Sequence, residues 1–200
     1  MIPLNRAIAR RLVPGFIMMR VSPNTITMLA LLAGLLAGWY LAQGNSGAAL
    51  YGAMLFLLSN VLDECDGTVA RQTNRCSRMG AFLDTITDCI VHAAFFLGLG
   101  IGMARRFPHG PWLLLGGIAA GGAILSCLLD VGGVTPWEAP SESSGDRLAW
   151  IAEWFRVDFS LLVVISAALH RMSWLLWAGA IGVFLVWIPG TFVMAVKGRR

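Results

Sequence analysis

Four aspartates lie close together in a chain that is otherwise mostly apolar. They form two pairs, Asp63 with Asp66 and Asp84 with Asp88, in the stretch LDECDGTVARQTNRCSRMGAFLDTITD at residues 62–88. Carboxylates this close repel one another unless a cation compensates their charge. Hard oxygen ligands, without histidine or cysteine at suitable spacing, favour magnesium, manganese or calcium over zinc. The pattern therefore predicts a divalent-metal site, with Mg²⁺ or Mn²⁺ as the expected ion.

Such ions commonly hold phosphate, because they bridge its oxygens and neutralise the charge that builds on a leaving group. Three arginines lie between the two aspartate pairs and can bind the same anion, namely Arg71, Arg75 and Arg78. The sequence thus indicates phosphate chemistry at this segment.

Helical spacing places each aspartate pair on one face of a predicted helix, beside small residues that leave room for a ligand. The first face holds Asp63, Asp66, Gly67 and Ala70. The second face holds Ser77, Gly80, Ala81, Asp84 and Asp88.

A simpler interpretation is that these acids pair with the neighbouring arginines in a loop. It fits Asp63 and Asp66, but not Asp88, which is followed directly by the apolar run CIVHAAFFLGLGIG. An ionisable residue inside such a run is costly and is a functional candidate. His92, one turn further on, is predicted to form a hydrogen bond within the bundle, and a catalytic role for it stays open.

The elements that must position these residues are membrane helices. Hydrophobic residues make up 57% of the 200 residues and charged ones only 13%, a composition typical of membrane proteins. We predict an all-α integral membrane protein, with one domain over residues 1–200 and six transmembrane helices, since about 20 residues cross the hydrocarbon core. The predicted spans lie near residues 25–42, 47–62, 79–104, 111–129, 157–170 and 173–196.

Residues 1–20 precede the six-helix bundle of residues 21–200. Arg6, Arg10 and Arg11 lie on one side of the predicted helix and apolar residues on another. This pattern predicts an interfacial amphipathic helix with its basic face toward anionic lipid headgroups. A plain topology signal explains the arginines equally well.

Basic residues predict the orientation of the chain in the membrane. With both termini cytoplasmic, twelve of the fifteen lysines and arginines fall on the inner side, and only Arg105, Arg106 and Arg171 fall outside. All eleven acids lie on or near the inner side. The aspartates, and with them the active site, are therefore predicted at the cytoplasmic face.

Residues 63–88 resemble the signature of the CDP-alcohol phosphotransferase family, also called CDP-alcohol phosphatidyltransferases. The segment reads D-x-x-D-G-x-x-A-R, eight residues, then G-x-x-x-D-x-x-x-D, and every signature position matches. SPNTIT at residues 22–27 also resembles the family's N-terminal pattern. This similarity covers roughly the N-terminal half of the chain, and six spans with an interfacial first helix agree with the family's fold.

The resemblance implies that a CDP-linked donor gives its substituted phosphoryl group to an acceptor hydroxyl, and that CMP leaves. By analogy Asp63, Asp66 and Asp84 hold two metal ions on the donor diphosphate, and Asp88 shares a metal and acts as the base. The residues implied to bind the donor are Asn24, Thr27, Gly67, Ala70, Arg71, Ser77 and Gly80. For Asn24 and Thr27, capping of the first spanning helix is an equally good interpretation.

The implied partners are CDP-diacylglycerol or another CDP-alcohol, a small hydroxyl acceptor and membrane lipids. A homodimer is left open, and no nucleic acid is expected. A phosphorylated acceptor would need a second basic pocket, for which Arg147 and Arg156 are the inner-side candidates. For Arg156, anchoring of the fifth span at the interface is the favoured alternative.

A cation transporter or channel is the alternative function, since acids inside a membrane also mark ion paths. A conduction path needs polar residues through the full depth of the membrane. Here the outer halves of two predicted spans read LLAGLLAGWYLA and AAFFLGLGIGMA, which favours the transferase.

Overall fold

The computed structural model describes residues 4–131 and 159–182, and all regular structure in these two ranges is α-helical. The all-helical prediction is therefore confirmed for this part of the chain. Seven helices are described there, in chain order: α1 Leu4–Met18, α2 Pro23–Ala42, α3 Ser46–Gln72, α4 Arg78–Arg106, α5 Trp112–Val131, α6 over Phe159–Ala168 and α7 over Ser173–Gly182.

Three of these helices, α2, α3 and α4, are long and apolar enough to cross a membrane. The described apolar stretches of the later helices are shorter, at 10–17 residues. The predicted second span, residues 47–62, is only the first part of α3, which continues as helix to Gln72. This continuation carries Asp63 and Asp66 on a helix rather than in a loop.

Polar side chains fix the first turn of each long helix. Ser22 Oγ accepts the backbone N–H of Thr25 (3.2 Å) and caps α2. Asn45 Oδ1 accepts that of Ala48 (2.7 Å) at the start of α3. These caps satisfy amide groups that have no partner within the helix, so the short connections between the long helices have defined conformations.

Glycines bring α2 and α4 into close contact. A Cβ atom on Gly38 would lie 2.6 Å from the carbonyl oxygen of Ala94, and a Cβ on Gly98 would collide with the Gly38 backbone. The two helices therefore approach as closely as backbones can, as small residues allow in membrane bundles. Gly102 packs just as closely, since its Cβ would collide with the carbonyl of Leu41.

The glycines of GGIAAGG divide into two groups. A Cβ on Gly116 would lie 3.0 Å from the Cα of Gly100, so this residue lets α5 approach α4. Gly117 and Gly121 have nothing within 4 Å of such an atom. Among the described residues, close helix packing is therefore seen at Gly116 and not at Gly117 or Gly121.

Stacked aromatic rings fill the centre of the bundle. The rings of Phe56 on α3 and Phe95 on α4 are stacked with centroids 4.3 Å apart. Phe159 of α6 packs edge-on against both rings, at 6.2 and 6.0 Å. Three helices distant in sequence thus share one apolar core.

Helix α1 packs on α3 through a second, smaller core and is joined to α6 by a hydrogen bond. Ala9 and Val13 are buried with residues of α2 and α3. Asn5 Nδ2 donates to Ser160 Oγ of α6 (3.0 Å), and Arg6 Nε lies 3.2 Å from a carboxylate oxygen of Glu64 on α3. These contacts hold α1 beside the turn of α3 that carries Asp63.

Candidate active site

Three of the four aspartates form a compact group between α3 and α4. Asp63 and Asp66 lie one turn apart on α3, and Asp84 lies in the second turn of α4. One carboxylate oxygen from each residue lies within 4.8 Å of the other two. The helical phase predicted from the sequence therefore places all three carboxylates on facing sides of two helices.

Two carboxylate oxygens in this group lack a hydrogen-bond partner among the described residues. Oδ1 of Asp63 and Oδ1 of Asp84 are buried, and neither forms a hydrogen bond with any described residue. A buried polar atom without a partner is costly, and these oxygens belong to like-charged groups in contact. Hard, buried, unsatisfied oxygens fit a divalent cation, so the residues present suit the predicted metal.

Thr27 orients Asp66. Its hydroxyl donates to Oδ2 of Asp66 at 2.5 Å, and it also lies 3.2 Å from the carbonyl oxygen of Pro23. Both Thr27 and Asp66 are buried, with exposures of only 4% each. The contact joins α2 to the aspartate group.

Asp88 lies one turn beyond Asp84 and is half-buried. Its charge acts on both Asp63 and Asp84. It does not belong to the group whose oxygens lie within 4.8 Å of one another. The structure thus separates the predicted four ligands into a group of three and an adjacent carboxylate.

A cavity of about 190 Å³ opens beside the aspartates. It lies between the start of α2, the end of α3 and the start of α4. All seven residues predicted to bind the donor line it, together with two aspartates: Asn24, Thr27, Asp66, Gly67, Ala70, Arg71, Ser77, Gly80 and Asp84.

Two glycines keep this cavity open. A Cβ on Gly80 would lie 3.1 Å from Ser77 Oγ and 3.7 Å from Asn24 Oδ1. A Cβ on Gly67 would lie 3.3 Å from the guanidinium of Arg71. A larger side chain at either position would crowd these polar groups, so glycine keeps the space beside them open.

At the start of α2, the residue that caps the helix differs from the residues that line the cavity. Ser22 is the cap, so capping does not account for Asn24 or Thr27, both of which line the cavity. Ser77 does both, because its Oγ accepts the N–H of Gly80 (2.9 Å) as the cap of α4 while it lines the cavity wall.

Other predicted residues fall outside this arrangement. His92 Nδ1 lies 2.8 Å from the backbone carbonyl oxygen of Asp88, and its ring packs edge-on to Phe56. It therefore forms the predicted hydrogen bond within the bundle. Arg147 and Arg156 lie outside the described residues.

Four lining residues were absent from the predicted site: Pro23, Arg75, Cys76 and Ala81. Ala81 was placed on the correct helix face, and Arg75 among the arginines able to bind an anion. Pro23 belongs to the SPNTIT segment and is the first residue of α2. Cys76, in the connection before α4, had no signal in the sequence.

Comparison with known proteins identifies the family. The model of the CDP-alcohol phosphatidyltransferase family matches residues 20–188. A phosphatidylinositol phosphate synthase of Streptomyces avermitilis is 40% identical over 81 residues, 40% of this chain and 32% of that protein. A bifunctional IPC transferase and DIPP synthase of Aquifex aeolicus is 32% identical over 55% of this chain and 24% of that protein.

A third relative is matched over more of its length. It is a CDP-diacylglycerol–glycerol-3-phosphate 3-phosphatidyltransferase of Shigella flexneri, 27% identical over 72% of this chain and 70% of that protein. The chain thus spans a quarter to a third of the first two relatives and about two thirds of the third. Because the family model covers most of its length, this chain belongs to the CDP-alcohol phosphatidyltransferase family.

Proposed function

We propose that this protein transfers a substituted phosphoryl group from a CDP-linked donor to an acceptor alcohol and releases CMP, in phospholipid synthesis or a related pathway. The observation that carries the proposal is the cavity beside the aspartates. All seven residues predicted to bind the donor line it, and two of the aspartates do as well.

In the proposed reaction, Asp88 accepts the proton of the acceptor hydroxyl. The hydroxyl oxygen then forms a bond to the phosphorus that carries the donor's alcohol. The bond from that phosphorus to the phosphate of CMP breaks, and CMP leaves with the electron pair. Asp88 suits this role because it lies beside the aspartate group, where it can be held next to the incoming oxygen, and positioning of a base can outweigh its low basicity.

The donor is proposed to lie in the cavity, with its nucleotide against Gly67 and Ala70. Arg71 supports this placement, since its guanidinium lies over Gly67 and its charge acts on Asp84. Ser77 and Asn24 offer polar atoms on the opposite wall. CDP-diacylglycerol or another CDP-alcohol is the proposed donor, with a small hydroxyl compound as acceptor.

Asp63, Asp66 and Asp84 are proposed to hold Mg²⁺ or Mn²⁺, with two ions in all and Asp88 sharing the second. When bound, the ions would neutralise the charge that develops on the diphosphate. The unsatisfied oxygens of Asp63 and Asp84 support this assignment.

The alternative, a cation path through the bundle, has less support. Beyond the aspartates toward the far end of the helices, the described core consists of Phe56, Phe95 and their apolar neighbours. Both rings are fully buried and stacked on each other. Such packing favours a site at one end of the bundle over a continuous polar path.

We further propose one domain over residues 1–200, in which six spans follow an interfacial helix formed by residues 1–20. The exposed side chains of Arg10 and Arg11 on α1 support the interfacial placement. Both termini and the aspartate end are proposed to be cytoplasmic. Reporter fusions after Arg200 and in the 105–110 loop should report opposite sides, and the same side for both would contradict the topology.

The test of function is release of CMP from CDP-diacylglycerol by the purified protein, with Mg²⁺ and a panel of acceptors. The panel holds glycerol 3-phosphate, inositol phosphate and serine, with a soluble CDP-alcohol as a second donor. Release that depends on one acceptor is expected. No CMP with any donor and acceptor, from folded protein, would contradict the proposal.

A further inference from the structure

A second cavity, of about 270 Å³, lies at the opposite end of the helices. The turn between α2 and α3, the end of α4 and the turn between α6 and α7 enclose it. From Asp84 to Arg106 the rise along α4 is about 33 Å, at 1.5 Å per residue. This cavity is therefore separate from the candidate active site.

Its rim is basic and polar. Arg106, His170 and Arg171 line it, together with Asn45 and Ser46. The sequence has no aspartate or glutamate within residues 23–62, 89–129 or 159–182. No acid from the helices and turns that form this end can therefore neutralise the two guanidinium groups.

The side chain of Arg106 and the backbone at Arg171 are held at defined positions. Arg106 Nη1 donates to Ser46 Oγ (3.0 Å), and its guanidinium lies 5.5 Å from the ring centroid of Phe107. The turn before Arg171 is fixed as well, since the backbone N–H of Arg171 donates to the carbonyl oxygen of Ser166 at 2.8 Å. A guanidinium held in this way, as that of Arg106 is, loses little freedom when it binds an anion.

The floor of the cavity is apolar, unlike its rim. Leu41, Leu99, Met103, Ala167 and Met172 line it, and all five are buried. A free inorganic anion gains nothing from such a floor. A molecule with a charged head and an apolar body contacts both surfaces.

Exposed aromatic side chains indicate that this end reaches the membrane interface. Trp39, Tyr51, Phe107 and Trp174 are exposed by 44–67% and lie near the helix ends that surround the cavity. Tryptophan and tyrosine concentrate where bilayer meets water, and guanidinium groups at that level can bind lipid phosphates directly.

We propose that this cavity binds the phosphate headgroup of an anionic membrane lipid, with Arg106 and Arg171 as its ligands. This lipid site is distinct from the aspartates. A lipid bound there contacts the turn between α2 and α3, the end of α4 and the turn between α6 and α7. A zwitterionic lipid lacks the net charge that these two guanidinium groups attract.

The test is native mass spectrometry of detergent-purified protein with dioleoyl phosphatidylglycerol or dioleoyl phosphatidylcholine. Wild type should retain one phosphatidylglycerol that the variant Arg106→Gln/Arg171→Gln loses, with occupancy of that site falling at least tenfold. Arg105→Gln is the matched control, since this arginine is next in sequence but does not line the cavity, its Nη1 donating to the Ala42 carbonyl. It should retain the lipid within twofold.

Additional variants test the proposal even if the double Gln variant does not fold. The single variants should each lower occupancy, and Arg106→Lys/Arg171→Lys should keep most of it because charge is retained. Equal retention of phosphatidylcholine, or of phosphatidylglycerol in folded Gln variants, would overturn the proposal. Displacement of the lipid by millimolar inorganic phosphate would also overturn it and identify free phosphate as the ligand.

Discussion

The two ends of the long helices each hold a cavity beside a cluster of ionic side chains, aspartates at one end and arginines at the other. At one end, Asp63, Asp66 and Asp84 face each other across α3 and α4, with buried oxygens that have no described partner. At the other end, Arg106 and Arg171 surround a cavity with an apolar floor. Between them the helices are joined by glycines and stacked phenylalanines.

This difference shows how an apolar bundle accommodates ionic groups. Asp66 is buried, Asp63 and Asp84 are half-buried, and the three lie close together, so they need a compensating cation. Asp66 and Asp84 also line the cavity in which the CDP donor is proposed to bind. The arginines are exposed at a helix end, where water and lipid phosphates can solvate them. Substitutions at the acidic end should therefore affect chemistry, whereas substitutions at the basic end should affect lipid retention.

The largest effect is expected for Asp88→Asn. The amide keeps the shape of the side chain but cannot accept the hydroxyl proton, and general-base catalysis typically contributes about 10²- to 10⁴-fold. CMP release should fall by that factor, while the affinity for the CDP donor stays near that of wild type. Added Mg²⁺ should not restore turnover. Near-normal turnover would place the base elsewhere, and His92→Gln would be the next variant to assay.

Asp63→Asn should fail in a different way. It removes one of three clustered carboxylates, so both donor affinity and turnover should fall, and excess Mg²⁺ should restore part of the loss. The measurement is CMP release as a function of Mg²⁺ concentration, with Asp88→Asn assayed in parallel. The two variants should differ in their response to added Mg²⁺. The same response in both would refute the distinct roles assigned to Asp88 and to the group of three.

Thr27→Val should give an intermediate loss. It removes the hydroxyl that donates to Asp66, and a hydrogen bond to a charged group is worth about 1.5–3 kcal/mol. We expect kcat/KM to fall by about tenfold or more. Thr25→Val is the matched control on the same helix, since its hydroxyl contacts Ser22 and does not line the cavity. Equal losses in both variants would show a general effect on α2.

Gly98→Ala tests the connection between the two ends. Its Cβ would collide with the Gly38 backbone, and overpacking typically costs about 1–3 kcal/mol. The unfolding temperature in detergent should fall, while Gly117→Ala, with nothing within 4 Å, should leave it nearly unchanged. Equal temperatures for both variants would mean that α2 and α4 do not pack this closely.

Much of the aspartate end could be predicted from sequence, because it depends on local periodicity. Asp63, Asp66 and Gly67 are a few residues apart on one helix, so helical phase alone places them together. The pairing of α3 with α4 and the contribution of Asn24 from α2 came from the family resemblance. Helical and hydrophobic periodicity alone does not predict contacts between residues about forty positions apart.

The basic cavity was not predictable in the same way. Arg106 and Arg171 are separated by 65 positions, and in the sequence each is a basic residue at the end of a predicted span, which is common in membrane proteins. In the folded chain, the turn at Gly44, with a φ of 77°, packs against Gly102 beside their shared cavity. Contacts of this kind depend on tertiary packing, which periodicity does not reveal.

The most direct test of the central claim is whether CMP release requires a divalent ion. Purified protein with CDP-diacylglycerol and its best acceptor should be assayed in Mg²⁺, in Mn²⁺ and in excess chelator. Release is expected with either ion and should fall to background with chelator, returning when Mg²⁺ is restored, since no basic side chain in the described structure forms an ion pair with the three clustered carboxylates. Full CMP release in excess chelator would contradict the account.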